Sequence, residues 1–255
     1  MRERSHDGGD RVVRAFERGR SAAAPLAMPD GALLLFDAAF PGPASGLEAP
    51  FELGGLYAMA GWTNGGAGPD VLQATGTKQP SWSPGDTFGD WSGIPFVHFG
   101  GDDGFAATVT ESSQDFTVYS VARGATNSGG SLWDSTAGRL LMRYSNPDVT
   151  TFDGTFRFFA MDSAAAAEVL TTRFDAGAGQ TRLYAARAED ALSPLGYTPR
   201  SLGGTFGLGA NGTVTGNFLP SGYRLHFFAL YPEAHDAAQR AAAWGYLESR
   251  FPAAF

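Results

Sequence analysis

The sequence predicts an all-β protein: a two-sheet jelly-roll sandwich with one C-terminal helix and an N-terminal arm. Three observations carry this. Glycine is 35 of 255 residues while charged residues are only 17%, a composition of turns rather than of charged helices. From residue 32 to 230 short apolar runs are broken by Gly, Pro, Asn and Asp, with no helical period between them. Several of those runs alternate strictly, and ten or more such strands imply a sandwich or barrel rather than an α/β sheet.

Residues 1–30 read as an arm separate from a 31–255 domain. Six Arg stand against four acids in residues 1–20, followed by Ser21-Ala-Ala-Ala-Pro25. The spacing allows a short helix over 10–17 with Val12, Val13 and Phe16 on one side, and two readings stay open: a flexible leader, or a docking peptide in which Arg14, Phe16 and Arg18 engage a partner. Strands are expected over 33–36, 96–99, 105–110, 116–122, 139–144, 155–161, 169–174, 181–187, 205–208 and 223–231. In 116–122, Phe116, Val118 and Ser120 face one way and Thr117, Tyr119 and Val121 the other. In 155–161 the polar positions thin out, as expected near a sheet centre. Residues 40–95 and 188–204 read as long loops, the first with about two short strands. A helix over 233–251 opens with Pro232, Glu233 and Asp236 and carries Ala237, Ala241, Trp244, Leu247 and Phe251 as one apolar stripe. It is expected to lie on the sandwich through Trp244.

The chain has no Cys, which excludes disulfide scaffolds, Cys-ligated metals and Cys nucleophiles. Net charge is −8, split into +2 over residues 1–20 and −10 over the rest, so a phosphate backbone would be repelled and nucleic acid is not an expected partner. No apolar stretch approaches the length of a membrane span, and the first residues lack the apolar core of a signal peptide. The expectation is a soluble protein released without a signal, with no membrane partner.

Two segments resemble the concanavalin-A-like lectin/glucanase superfamily, in particular the laminin-G-like domains of bacterial surface proteins and tailed-phage structural proteins. The first is Gln79-Pro-Ser-Trp82, a ten-residue insertion and then Gly93-Ile-Pro-Phe-Val-His-Phe-Gly-Gly-Asp-Asp-Gly-Phe105, followed by Ala106-Ala-Thr-Val-Thr110. The second is Tyr223-Arg-Leu-His-Phe-Phe-Ala-Leu-Tyr231 with the helix ending Tyr246-Leu-Glu-Ser-Arg-Phe251; an early Phe36-Asp37-Ala38 fits the usual opening strand. The resemblance spans about 31–252 and implies a concanavalin-A-like sandwich. It departs in a longer 83–92 loop and in Glu233-Ala-His-Asp236, which lacks the usual Leu-Ser pair. The fold hosts lectins, hydrolases, lyases and spacers, so function must come from a site.

The glucanases of that superfamily carry their two carboxylates on one strand in a Glu-x-Asp-x-Glu type of run, and none exists here. Glu189-Asp190 and Asp102-Asp103 are adjacent pairs, which on a strand point to opposite sides. Arg143 and Tyr144 are likewise adjacent, while Arg224 and His226, two residues apart, share a strand face; neither pair is taken as a lyase site. His98 and His226 read as core or near-core residues, and His6 and His235 as solvent-facing. No Gly-x-Ser-x-Gly sequence is present. Gly100-Gly-Asp-Asp-Gly104 reads as a hairpin turn rather than a calcium loop. No catalytic residue, metal or cofactor is therefore expected.

Sugar binding has the most support. Pyranose faces stack on aromatic rings while Asp, Asn and Arg read hydroxyls, and Trp91, Asn127, Trp133, Asp134, Tyr197 and Arg200 lie in polar loops with that chemistry. Trp82 and Trp133 also read as plugs at the ends of the sandwich. With the resemblance, these residues imply a non-enzymatic, lectin-like component of a phage or phage-like particle that recognises host-surface or capsular polysaccharide. The arm would bind other particle subunits, copies would act together through avidity, and the protein would sit on a virion or extracellular particle surface. A purely structural or decoration module is the alternative reading, and a polysaccharide-degrading enzyme the second.

Overall fold

The computed structural model describes residues 27–47, 51–52, 54–85, 87, 89–124, 129–136, 139–144, 148–162, 168–219 and 221–255. Among the described residues two antiparallel sheets stack as a sandwich, and one α-helix lies outside the first of them. The first sheet runs, edge to edge, through Ala188–Glu189, Gln180–Ala185, Glu168–Asp175, Phe116–Arg123, Tyr223–Tyr231, Phe96–Phe99, Ser81–Ser83 and Tyr57–Ala58. One edge of the long 223–231 strand is shared end to end by two partners. Leu34–Asp37 takes its second half and Phe96–Phe99 its first. The second sheet runs through Phe156–Asp162, Asp148–Phe152, Leu141–Tyr144, Gly130–Ser135, Gly203–Leu208, Phe105–Thr110, Val71–Leu72 and Gly61–Trp62.

The alternation expected at 116–122 separates two cores. Phe116, Val118 and Ala122 point between the sheets, with Trp133, Phe206 and Phe228. Tyr119 and Val121 point outward, where the helix covers them through Ala243, Trp244 and Leu247. The first sheet is thus buried on both faces. A register shift at His226 keeps His226 and Phe227 on the outer side, between inward Leu225 and Phe228.

The helix spans Ala237–Arg250, four residues later than its expected start. Its N-cap is Asp236, which accepts the Gln239 N–H while the Gln239 side chain accepts the Asp236 N–H. That reciprocal cap wins over Pro232, which lies just past the last strand. The Trp244 indole donates to Thr171 at 2.9 Å and fixes the helix on the sheet as expected, through Ala243, Trp244 and Leu247; Ala237 and Ala241, expected in the apolar stripe, are exposed.

Several expectations need correction. The 156–162 strand is the edge of its sheet and not its centre. Its run of phenylalanines arises because Phe156 and Phe158 face solvent while Phe159 faces the core. Residues 100–104 do not close a hairpin: they carry the chain from one sheet to the other, with Gly101 at φ 101° and the Asp103 carboxylate accepting the Gly100 N–H at 2.6 Å. His235, expected in solvent, is fully buried. The 40–95 region holds four short strands rather than two, and short strands also interrupt 188–204. Residues 28–30, assigned to the arm, already touch the domain: Met28 packs on the outer core and the Tyr231 hydroxyl donates to the Pro29 carbonyl. Arg14, Phe16 and Arg18 lie outside the described residues.

Candidate functional site

The site begins with one cross-strand row on the solvent face of the second sheet. Trp133 points into the core, so its neighbour Asp134 points out. Registers across six strand pairs align Phe156, Phe152, Leu141, Asp134, Gly207, Ala106 and Leu72 in a single line over this face. At about 4.8 Å per strand, Phe152 and Asp134 stand roughly 10 Å apart.

The loop after the Gly203–Leu208 strand turns back over this row. A Cβ at Gly207 would sit 2.3 Å from the Asn211 carbonyl oxygen, so the absence of a side chain there lets the loop close over the sheet. Asn211 holds the loop in shape: its Oδ1 accepts the Thr215 N–H at 2.8 Å and its Nδ2 donates to the Thr215 hydroxyl at 3.2 Å. Between loop and sheet lies a crevice of about 240 Å³ lined by Asp134, Thr136, Arg139, Asn211, Gly212 and Thr213.

Asp134 sits at its base, 3% exposed. Oδ2 accepts the Gly212 N–H at 3.3 Å and lies 3.9 Å from the Arg139 guanidinium. Oδ1 is buried and has no hydrogen-bond partner among the described residues. Burial holds the carboxyl above the usual carboxylate range; Arg139 and the N–H groups of Gly212 and Ser135 pull it partly back. Arg139, half exposed and at φ 43°, spans the row, with its guanidinium 5.7 Å from the centre of the Phe152 ring. Phe152 packs at 4.9 Å against Phe156, and Phe156 at 6.4 Å against Phe158.

A buried carboxylate whose Oδ1 has no partner among the described residues, a half-exposed guanidinium, threonine hydroxyls and an adjoining aromatic ledge suit a ligand rich in hydroxyls and bearing a small apolar face. The crevice holds about eight waters' volume at about 30 Å³ each, enough for one sugar ring rather than a chain. Among the described residues no group of three or more His, Cys, Asp and Glu is placed to hold a metal ion.

Of the expected sugar-contacting residues, Asp134 lines this crevice and four others are placed elsewhere. Trp133 is fully buried between Phe174 and Phe206 and presents no face to a ligand. Trp91 is 6% exposed. It packs on His226 with ring centres 4.4 Å apart, in the cluster that includes Phe251, because its loop folds over the outer side of the first sheet. Tyr197 packs on Phe174 and donates to the Gln114 carbonyl at 2.8 Å, and burial pushes its hydroxyl up to about 12. The Arg200 Nε donates to the Asp153 carbonyl at 2.5 Å and so braces the turn at Gly154. Asn127 lies outside the described residues.

Arg139, Thr213 and the Phe152–Phe156 pair are the site residues that sequence reasoning passed over. The Asn211-Gly-Thr-Val-Thr-Gly-Asn217 run, unusually polar between two strands, was the available signal for the loop.

No family model matches the chain, and no curated protein matches it. Solved structures do share its fold. A sialidase of Trypanosoma rangeli in complex with 2,3-difluorosialic acid superposes with a TM-score of 0.54 at 13% identity, covering 88% of this chain and 34% of the sialidase. The binding domain of botulinum neurotoxin serotype D superposes with a TM-score of 0.51 at 8% identity, covering 85% of this chain and 51% of that one. The chain therefore spans about a third of the sialidase's length and half of the toxin domain's. At these identities the likeness establishes a two-sheet antiparallel sandwich, in keeping with the concanavalin-A-like architecture, and nothing about activity.

Proposed function

We propose that this chain binds a carbohydrate without transforming it, through the crevice at Asp134 and the phenylalanine ledge beside it. The observation that carries the reading is the crevice walled by Asp134, Arg139 and Thr213, in which the buried Asp134 Oδ1 has no hydrogen-bond partner among the described residues. An unsatisfied buried acceptor costs free energy unless a ligand or water meets it, and a sugar hydroxyl is a donor of the right size. Supporting the reading, the sialidase whose fold is shared was solved with a sialic acid derivative.

The physiological ligand on this reading is a host-surface or capsular polysaccharide, and the protein a multicopy part of a phage or phage-like particle, as the laminin-G-like resemblance implies. A shallow one-ring site gives weak binding that several copies on one particle would strengthen. Binding of the full chain to purified polysaccharides and intact cells, before and after periodate cleavage of vicinal diols, tests the reading. Periodate-sensitive binding supports it. Binding that survives periodate, or none to any envelope as a multimer, moves the assignment to a structural module that contacts protein subunits.

A further inference from the structure

A second concave surface lies far from Asp134, where the described chain begins. Two hollows of about 500 and 300 Å³ adjoin along the Leu34–Asp37 strand and share Leu35 and Gly65. Their floor is rigid. Asn64 accepts the Leu35 N–H at 2.7 Å and donates to the Leu33 carbonyl at 2.9 Å, and the Gly65 N–H reaches the Leu35 carbonyl at 2.8 Å. Gly66 and Gly68 press so close to the strand that a Cβ at either would fall within 2.8 Å of a backbone oxygen of Ala32 or Leu33. The hollow beside Phe40, itself 72% exposed, is apolar, and the larger one is of mixed polarity, with Met28 and Tyr246 beside Asp30. Carboxylates flank the strip: Asp30 is exposed, Asp70 is exposed and accepts the Asn64 N–H at 2.7 Å, and Asp37 lies beneath Phe40's hollow, 3.4 Å from the Arg250 guanidinium.

A strip that is apolar at the Phe40 end and flanked by the exposed Asp30 and Asp70 suits a basic segment that carries an aromatic side chain. The chain supplies one in Arg14-Ala-Phe16-Glu-Arg18. Laid out extended, it places Arg14, Phe16 and Arg18 on one side, the ring between two guanidiniums. The tether is sufficient. Eleven residue-to-residue steps lead from Phe16 to Ala27 at the groove wall, a reach of up to about 36–40 Å. Linkage in one chain also gives an effective concentration of order millimolar, so modest contacts suffice.

We propose that residues 12–18 dock in this groove of their own chain, with Phe16 in the hollow beside Phe40 and Arg14 and Arg18 beside the flanking carboxylates. The +2 arm and the −10 body thereby become one electrostatic unit. The proposal is independent of sugar binding.

The test replaces Phe16 with the photo-crosslinker p-benzoylphenylalanine in the full chain and maps crosslinks by mass spectrometry, using mixed light and heavy isotopic preparations. The expected result is crosslinking to residues 28–40 or Tyr246 within one isotopic copy, reduced several-fold by Phe40→Ala and by Asp30→Asn with Asp70→Asn. Phe40, Asp30 and Asp70 are exposed, and asparagine at position 70 keeps an amide oxygen for the Asn64 N–H, so these changes leave the fold intact. Crosslinks elsewhere on the surface, crosslinks between light and heavy copies, or yields unaffected by the groove variants would each overturn the proposal.

Discussion

Gly207 stands directly across from Asp134 in the strand register, and the absence of its side chain is what lets the Asn211 loop close over that carboxylate. The pairing explains why an acid on the solvent face of a sheet is 97% covered, and why the loop composition and the strand sequence have to agree. Replacing Gly207 with Ala drives a Cβ into the Asn211 carbonyl. The backbone must move, at a cost of about 1–3 kcal/mol, and the crevice opens. Urea unfolding would report the loss in midpoint, and glycan binding should fall with it.

Asp134→Asn keeps the shape and removes the charge. Since burial disfavours the ionised form, this variant should be at least as stable as the parent near pH 7. Binding should nevertheless weaken about 10- to 100-fold, corresponding to a charge-assisted hydrogen bond of about 1.5–3 kcal/mol. Stability and binding moving in opposite directions would separate a recognition role from a structural one.

The same carboxyl sets a pH dependence. Its folded-state value lies above that of the unfolded chain, so the folded protein holds the proton more tightly, and this group's contribution to stability declines as pH rises through the interval between the two values. Glycan binding needs the ionised acceptor. It should therefore fade on acidification at a pH above the usual carboxylate value of about 4, and the Asn variant should lack that transition.

His235 provides a second pH signature, in stability alone. Its Nδ1 lies 2.8 Å from the Tyr119 hydroxyl, its ring packs on Tyr231, and its carbonyl accepts from Arg173 and Arg240. Burial lowers its affinity for a proton; Glu233 and Asp236 oppose that and Arg240 adds to it. With the folded value below the unfolded one, stability is constant above about pH 6.5 and is lost as pH falls from there. His98, also lowered, mainly by burial and then by Arg224, adds a slope of the same sign. Thermal unfolding between pH 7 and 5 should show the decline, and His235→Gln should flatten it in part.

Trp91→Ala tests the aromatic-loop expectation directly. The ring is buried against His226 beside Phe251, so truncation should destabilise the protein by about 3–5 kcal/mol. At temperatures where the variant remains folded, glycan affinity should match the parent's.

What the sequence disclosed follows from periodicity. The 116–122 strand alternates between two apolar cores, and that pattern, with the Trp244 stripe, was enough to place both sheet and helix. Periodicity cannot distinguish a central strand from an edge strand whose outer face is aromatic, which is why 155–161 misled. Nor does it reveal pairing: Phe152, Asp134 and Gly207 share a row only because of long-range register. Trp91, Trp133 and Tyr197 were singled out by residue type and polar neighbours. Large rings in glycine-rich loops, however, bury the most surface by folding back onto the sandwich. Asp134 was singled out in the same way, beside Trp133 in an expected polar loop; that both lie on the Gly130–Ser135 strand, Trp133 inward and Asp134 outward, was not read from the sequence.

The most direct measurement is a titration of the parent and Asp134→Asn with whichever polysaccharide the full chain binds, at pH 7, alongside their melting temperatures. The account predicts affinity at least about tenfold weaker in the variant with an equal or higher melting temperature. Equal affinity in the two proteins would contradict it and place any sugar site away from the second sheet's outer face.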